Sequence, residues 1–297
     1  MPSNVTISQG TLSAVISTMG AELKSLALDG REYLWQGNPK WWGKSAPVLF
    51  PLVGATGYDV LQTAAGPAPV PKHGFARDVE FHLVEQSEDG ASVAFELSES
   101  EYTLARYPYP FSLRMTYAIT GPATLKQTFR VENAGDVPMP FSVGGHPAFN
   151  VPVSGVEGET FEDYELRFTE AWTADSPKIS VDGIMSYADP FHVLQNADAL
   201  SVSRDLFVFD TVVFRDVPGA RIELVGKKSG HGVRVDFPDF DFVGIWSAAP
   251  DAPFVAVEPW TGHAALDVED DVFEHRDNIT ILAPGEVDER SFEITLL

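Results

Sequence analysis

The chain has 297 residues, and its 43 acidic residues against 20 lysines and arginines give a formal net charge of −23. This charge argues against nucleic acids and anionic membranes as partners, because both are polyanions. The 44% of hydrophobic and 21% of charged residues are typical of a folded globular chain and argue against global disorder.

Strands are the main predicted elements, and turn signals of glycine, proline, asparagine and aspartate separate them. Residues 54–72 are rich in proline, alanine and glycine and predict a long loop or a loose hairpin. Apolar and polar residues alternate along residues 111–120, 125–132 and 233–237, and this period of two predicts half-buried β-strands. Residues 162–175 are the region in which a short helix is expected.

The spacing of these strands predicts the fold class. Many short strands at intervals of about ten residues, without alternating helices, predict an all-β protein built as a large antiparallel β-sandwich or barrel. The strand pattern continues to residues 291–297 without a break in composition or a long linker. We therefore expect one domain over residues 1–297.

Cysteine is absent, which excludes disulfides, thiolate nucleophiles and cysteine-ligated zinc. Residues 1–6 lack the basic and apolar segments of a signal peptide, and no stretch approaches the ~20 apolar residues of a membrane helix. These features predict a cytoplasmic protein that does not bind membranes. Both a monomer and a homodimer remain open.

Three short segments between apolar runs place a titratable residue where a strand meets a proline or a glycine. They are residues 72–78 (KHGFARD), 144–150 (GGHPAFN) and 256–262 (AVEPWTG). Side chains at such positions can face a cleft at the end of a sheet. In the third segment an indole lies close to a carboxylate, and an apolar aromatic neighbour raises a carboxyl pKa toward the range of a general base. Taken singly, each segment is also explained as a turn.

Five segments in order resemble the motifs of the aldose 1-epimerase (galactose mutarotase) family, in its short bacterial branch of LacX-type proteins. They are residues 47–54 (PVLFPLVG), 73–77 (HGFAR), 145–150 (GHPAFN), 254–260 (FVAVEPW) and 282–286 (LAPGE). The resemblance covers most of the chain. It implies a large antiparallel β-sandwich, called a supersandwich, with an open sugar-binding cleft. It also implies an isomerase that interconverts the α and β anomers of a free aldose.

The chemistry of this reaction explains the residue types at the matched positions. Ring opening needs a base for the proton of the anomeric hydroxyl and an acid for the ring oxygen, and it requires neither a metal nor a cofactor. Carried over by motif, the resemblance implies Glu258 as the base and His146 as the acid. Histidine suits this role because its ordinary pKa is about 6.5.

The same motifs imply residues that contact the sugar. His73 and Arg77 are expected to hydrogen-bond sugar hydroxyls, and Asn150 is expected to orient the loop that ends the second motif. Asp210 resembles the family's sugar-binding aspartate, with Asp205 as the competing candidate.

Two aromatic or imidazole side chains outside the matched catalytic positions are also candidates for the cleft. Trp246 is a candidate stacking platform for a pyranose ring, and the alternative is a core aromatic residue. His263, five residues after Glu258, is a candidate for the cleft rim.

Three alternatives remain open at this stage. A related branch acts on hexose 6-phosphates, and Arg77 with Lys44 are the cations available for a phosphate; the two are too few for a strong site, so a neutral aldose is favoured. A glycoside hydrolase or lyase commonly uses two carboxylates, whereas these motifs supply one carboxylate and one histidine. A non-catalytic sugar-binding module would share most of the same residues.

Overall fold

A computed structural model describes residues 2–248 and 250–297 and consists mainly of β-strands. The strands in chain order are β1 (Asn4–Gln9), β2 (Leu12–Ser17), β3 (Leu23–Leu28), β4 (Arg31–Glu32), β5 (Val48–Leu49), β6 (Leu61–Thr63), β7 (Gly66–Ala68), β8 (His82–Gln86), β9 (Ser92–Ser98), β10 (Phe111–Gly121), β11 (Thr124–Asn133), β12 (Met139–Phe141), β13 (Gly144–Gly145), β14 (Ala148–Asn150), β15 (Tyr164–Ile179), β16 (Met185–Ser201), β17 (Val212–Arg215), β18 (Arg221–Gly226), β19 (Gly232–Asp236), β20 (Phe242–Trp246), β21 (Phe254–Trp260), β22 (Thr280–Leu282) and β23 (Val287–Leu296).

The described residues contain only short helical segments. These segments are the α-helix Glu101–Leu104 and the 3-10 turns Ala76–Asp78, Phe161–Asp163, Arg204–Phe207, Pro218–Ala220 and Phe273–His275. Within the described part of the chain, no helix has the length and hydropathy needed to cross a bilayer.

Two large antiparallel sheets form the body of the protein, and the prediction of an all-β antiparallel fold is confirmed. The larger sheet has nine strands in the order β16-β15-β18-β19-β23-β11-β10-β9-β8. The smaller sheet has the order β17-β20-β21-β13-β5, with β14 paired to β21. In β10 every second residue from Phe111 to Ile119 is buried, as the alternation predicts for a strand that faces the core on one side. That residues 1–297 form one domain stays a prediction.

The core lies between the two sheets, which approach each other closely near β13. A Cβ atom at Gly145 would lie 2.8 Å from the ring of Phe292 on β23, so the glycine lets the smaller sheet pack on this aromatic side chain. Next to β5, the Phe50 ring packs on Phe111 of β10 with 5.0 Å between ring centroids. Strand β21 is buried along its whole length, so the polar residue on it is enclosed as well.

The helix expected in residues 162–175 is wrong. After the turn Phe161–Asp163 the chain forms β15, in which Tyr164, Leu166 and Phe168 are buried at every second position. This period of two favours a strand over the helix propensity of Glu165 and Arg167, which lie between the buried residues. The hairpin expected in residues 54–72 is present as β6 and β7.

Candidate active site

A cavity of about 280 Å³ opens beside the smaller sheet. Six of the predicted site residues line it: His73, Arg77, His146, Asp210, Trp246 and Glu258. One wall comes from the end of the long β15–β16 hairpin, where Gly183 and Met185 face the cavity. The hairpin end is held by a hydrogen bond from the Met185 N–H to the Ala265 carbonyl oxygen at 2.9 Å. Segments distant in sequence therefore meet at one site.

The predicted acid and base lie side by side. Glu258 is on β21 opposite Gly244 of β20, and His146 directly follows β13, with its N–H bound to the Pro47 carbonyl oxygen at 3.1 Å. His146 Nε2 lies 3.2 Å from Glu258 Oε2, which is within ion-pair distance. The imidazole and the carboxylate are not oriented to form a hydrogen bond with each other. Among the described residues, neither oxygen of the Glu258 carboxylate has a hydrogen-bond partner. The hydrogen-bonding capacity of both buried oxygens is therefore unused within the described part of the chain.

Burial shifts the pKa values of Glu258 and His146 in opposite directions. It raises the pKa of the Glu258 carboxyl well above its usual range, the neighbouring Asp210 raises it further, and Lys72 opposes the shift. Burial also lowers the pKa of His146 to about 3; interaction with its own backbone opposes this shift, and the cations Arg77 and Lys72 add to it. Both shifts favour uncharged forms, because a low-dielectric site disfavours charge.

The 72–78 segment supplies two hydrogen-bond donors. His73 has a positive φ of 64°, and its Nδ1 accepts the Gly54 N–H at 3.1 Å. This contact fixes the imidazole tautomer with its proton on Nε2. Burial, together with the neighbouring His146, lowers the pKa of His73, so the ring is neutral. The Arg77 guanidinium donates to the Lys72 carbonyl oxygen at 2.8 Å, and its buried Nε lies 3.6 Å from Asp78 Oδ2 without a hydrogen bond among the described residues.

Asp210 and Trp246 reach the cavity from neighbouring elements. Asp210 follows the turn Arg204–Phe207 with a positive φ of 69°, and its N–H binds the Phe207 carbonyl oxygen at 3.1 Å. Asp205 lies within that turn and does not line the cavity. The Trp246 indole meets the His146 ring edge-on at 5.4 Å, so it belongs both to the cavity wall and to the aromatic packing behind it.

Two further candidates from the sequence, Asn150 and His263, also lie outside the cavity lining. The Asn150 amide donates to the Leu34 carbonyl oxygen at 2.9 Å, so it ties its own segment to the chain before β5. His263 is buried, with Nδ1 2.7 Å from the Ala264 carbonyl oxygen and Nε2 3.2 Å from Asp277. These contacts fit a structural role for both side chains.

The structure adds cavity residues that the sequence reasoning missed. Lys72 lines the cavity, whereas Lys44, the cation nominated from sequence, binds Asp78 at 2.8 Å outside the lining. Trp42 also lines the cavity, with its ring stacked on His146. The position of Lys72 just before His73 was a usable signal, whereas nothing in the sequence near Trp42 indicated the site. Within residues 2–248 and 250–297, no group of three His, Asp or Glu side chains could hold a metal ion.

Comparisons with known proteins identify the family of this chain. The family model for aldose 1-epimerase matches residues 3–286. The chromosomal protein LacX of Lactococcus lactis subsp. lactis is 35% identical over 96% of this chain and 97% of its own length. A Salmonella typhimurium protein with the provisional name glucose-6-phosphate 1-epimerase is 26% identical over 86% of this chain and 85% of its own length.

A solved structure shows the same fold over nearly the whole chain. The galactose mutarotase related enzyme from Lactobacillus acidophilus superposes with a TM-score of 0.92 and 32% identity, over 99% of this chain and 97% of that one. The fold is therefore the galactose mutarotase-like supersandwich that the motifs implied. With a family model across most of its length and a relative at 35% identity, the chain belongs to the aldose 1-epimerase family.

Proposed function

We propose that this protein is an aldose 1-epimerase that interconverts the α and β anomers of a free, neutral aldose. The observation that carries the proposal is the buried His146–Glu258 pair, 3.2 Å apart and without competing hydrogen bonds on the carboxylate among the described residues. The family and the relatives support a sugar epimerase or mutarotase.

The proposed reaction balances its protons within the pair. With the cyclic sugar bound, the Glu258 carboxylate takes the proton of the anomeric hydroxyl while the His146 imidazolium gives a proton to the ring oxygen. The bond between the anomeric carbon and the ring oxygen breaks, and a carbonyl forms. Rotation about the bond between C1 and C2 turns the aldehyde over. The reverse transfers then close the ring on its other face.

Burial of the pair favours the ring-opening step. A raised pKa makes the Glu258 carboxylate a stronger base, and a lowered pKa makes the His146 imidazolium a stronger acid. The uncharged pair is the form that accompanies the open-chain aldehyde. The ammonium group of Lys72 opposes the shift at Glu258, which stabilises the carboxylate needed to bind the cyclic sugar.

We expect a pH profile that differs from that of an ordinary histidine. The active pair holds one proton; a second proton adds to His146 near its lowered pKa of about 3, and the single proton is lost through the raised pKa of Glu258. His73, Lys72, Arg77 and Asp210 are the other titratable groups at the cavity. As pH falls to about 5, kcat/KM should therefore hold its value, and it should decline on the alkaline side as the pair loses its single proton.

Anomer-specific rates measured by NMR between about pH 5 and about pH 9, corrected for spontaneous mutarotation, check this profile. Loss of activity as pH falls through about 6.5, the ordinary histidine value, would contradict the assigned environment of His146, because it would place uptake of the second proton there.

A hexose 6-phosphate is the second candidate substrate. Two cations, Lys72 and Arg77, line the cavity, and one relative carries the name of a sugar-phosphate epimerase. Against it stand the carboxylate of Asp210 in the same cavity and the net charge of −23, both of which repel a dianion.

Polarimetry on freshly dissolved α-glucose, α-galactose and α-glucose 6-phosphate at about 0.15 M salt separates the two substrates. We expect kcat/KM to be higher for a neutral aldose by about tenfold or more, equivalent to ~1.4 kcal/mol. Lys44→Ala is the matched control for Lys72→Ala, because it removes the same charge outside the cavity lining. A tenfold preference for the phosphate that Lys72→Ala abolishes and Lys44→Ala keeps would overturn the neutral substrate.

A further inference from the structure

The His146 imidazole lacks the hydrogen bond that usually orients a catalytic histidine. Its Nδ1 is buried and has no partner among the described residues, and its Nε2 faces Glu258 without a hydrogen bond. In most catalytic sites one ring nitrogen is held by a carboxylate or a carbonyl oxygen, which fixes the ring plane. Here the ring plane must be fixed by other contacts.

Neighbouring rings contact the His146 imidazole where a hydrogen bond would otherwise orient it. The Trp42 indole is stacked on the imidazole with 4.7 Å between ring centroids and 27° between planes. Trp246 meets the same imidazole edge-on at 5.4 Å and 89°, and His73 meets it at 5.9 Å and 67°. The stacked indole is the contact that restricts rotation of the imidazole out of its plane, because a flat ring leaves no room on that side.

Trp42 is itself firmly held. Its carbonyl oxygen accepts the indole N–H of Trp35 at 2.9 Å, and its N–H binds the Asn38 carbonyl oxygen at 3.1 Å. Its ring packs edge-on against Trp246 at 5.4 Å and in a tilted arrangement against Phe254 at 5.8 Å. The indole is therefore a fixed surface that the sheet supports from behind.

We propose that Trp42 is a positioning residue that holds the His146 imidazole in register with Glu258 by stacking. The expected effect on kcat rests on the proposed function. The expected effect on the position of the imidazole rests on geometry alone. An indole face packs against both the neutral imidazole and the imidazolium, and it attracts the cation. It can therefore guide the ring through both protonation states of the cycle without competing for a proton.

Three variants test the proposal. Trp42→Phe keeps a flat aromatic face, Trp42→Leu keeps apolar bulk without one, and Trp41→Leu is the matched control. Trp41 contacts Trp35 at 5.8 Å and Asp251 at 2.8 Å, and it has no aromatic contact with His146. Polarimetry gives kcat and KM for each variant, and crystal structures give the distance from Nε2 to Oε2.

We expect Trp42→Leu to lower kcat by about tenfold to 10²-fold with little change in KM, because a small displacement of a reacting group costs that much. Trp42→Phe should restore most of kcat, and Trp41→Leu should leave both constants near wild type. In the Trp42→Leu crystal the imidazole should turn away and the Nε2–Oε2 distance should exceed 3.2 Å. If the leucine variant does not fold, Trp42→Met makes the same comparison.

The outcomes separate this inference from the proposed function. An unmoved imidazole in Trp42→Leu overturns the positioning role whatever the activity. A rise in KM alone also overturns it, since that result assigns Trp42 to sugar contact. A wild-type protein without mutarotation would refute the proposed function, and the crystal comparison would still decide the role of Trp42.

Discussion

Replacing Glu258 with glutamine is expected to lower kcat for mutarotation by about 10²–10⁴-fold, the usual worth of a general base. Glutamine keeps the shape of the side chain but cannot take the proton of the anomeric hydroxyl. Both oxygens of Glu258 are buried and have no hydrogen-bond partner in the described part of the chain, so the substitution breaks no internal hydrogen bond. Polarimetry with α-glucose and α-galactose measures the loss, and KM should change little.

The stability of the same variant provides the control. Because the folded-state pKa of Glu258 is raised, its contribution to stability is fully present below the unfolded value of 4.5 and declines as pH rises toward the folded value. Glu258→Gln removes this penalty, so its Tm should exceed that of the wild type at pH 7, and the gap should close near pH 4. Near-wild-type mutarotation, or a lower Tm at pH 7, would contradict the assigned role and environment.

Replacing Gly74 with alanine is expected to cost about 4 kcal/mol of folding free energy or more. Gly74 has a φ of +71°, and a Cβ atom there would overlap the carbonyl group of Phe50. This neighbour is backbone, so no side-chain rotation relieves the clash. The same carbonyl oxygen accepts the N–H of Phe75 at 3.0 Å, and a displaced loop would also move His73 and Arg77 from the cavity.

Gly90→Ala is the matched control for this substitution. Gly90 has the same φ of +71°, but a Cβ atom added there would have no neighbouring atom within 4 Å. Its substitution should cost only the left-handed backbone penalty of about 1–2 kcal/mol. Denaturant unfolding followed by circular dichroism measures both variants. Equal losses in the two would show that the loop of residues 72–78 shifts without the expected steric cost.

The fold was largely predictable because its strands carry their own pattern. In β10 and β11 the alternation of apolar and polar residues reports directly which side faces the core. Residues 162–175 were harder, because glutamate and alanine at exposed positions of β15 also suit a helix, and the pairing of β15 with β16 and β18 is what forms the strand.

The candidate site was predictable where motifs mark it and missed where only tertiary contacts do. His146 and Glu258 lie in motifs, whereas Trp42, far away in the sequence, reaches His146 by packing against β20 and β21. Either Lys44 or Lys72 could supply the cation at the cavity. Asp78 binds the ammonium group of Lys44, and Lys72 is the lysine that lines the cavity. Local sequence does not encode such a competition between charged neighbours.

The β15–β16 hairpin shapes the cavity but does not carry the proposed acid and base. Its end supplies a wall through Gly183 and Met185, while the reacting pair lies on β21 and beside β13. A Cβ atom at Gly183 would lie 3.0 Å from Ala55 across the opening, so this wall already fits closely. Insertions, deletions or substitutions at the hairpin end are therefore expected to change the shape of the cavity without altering the strands that hold the proposed acid and base.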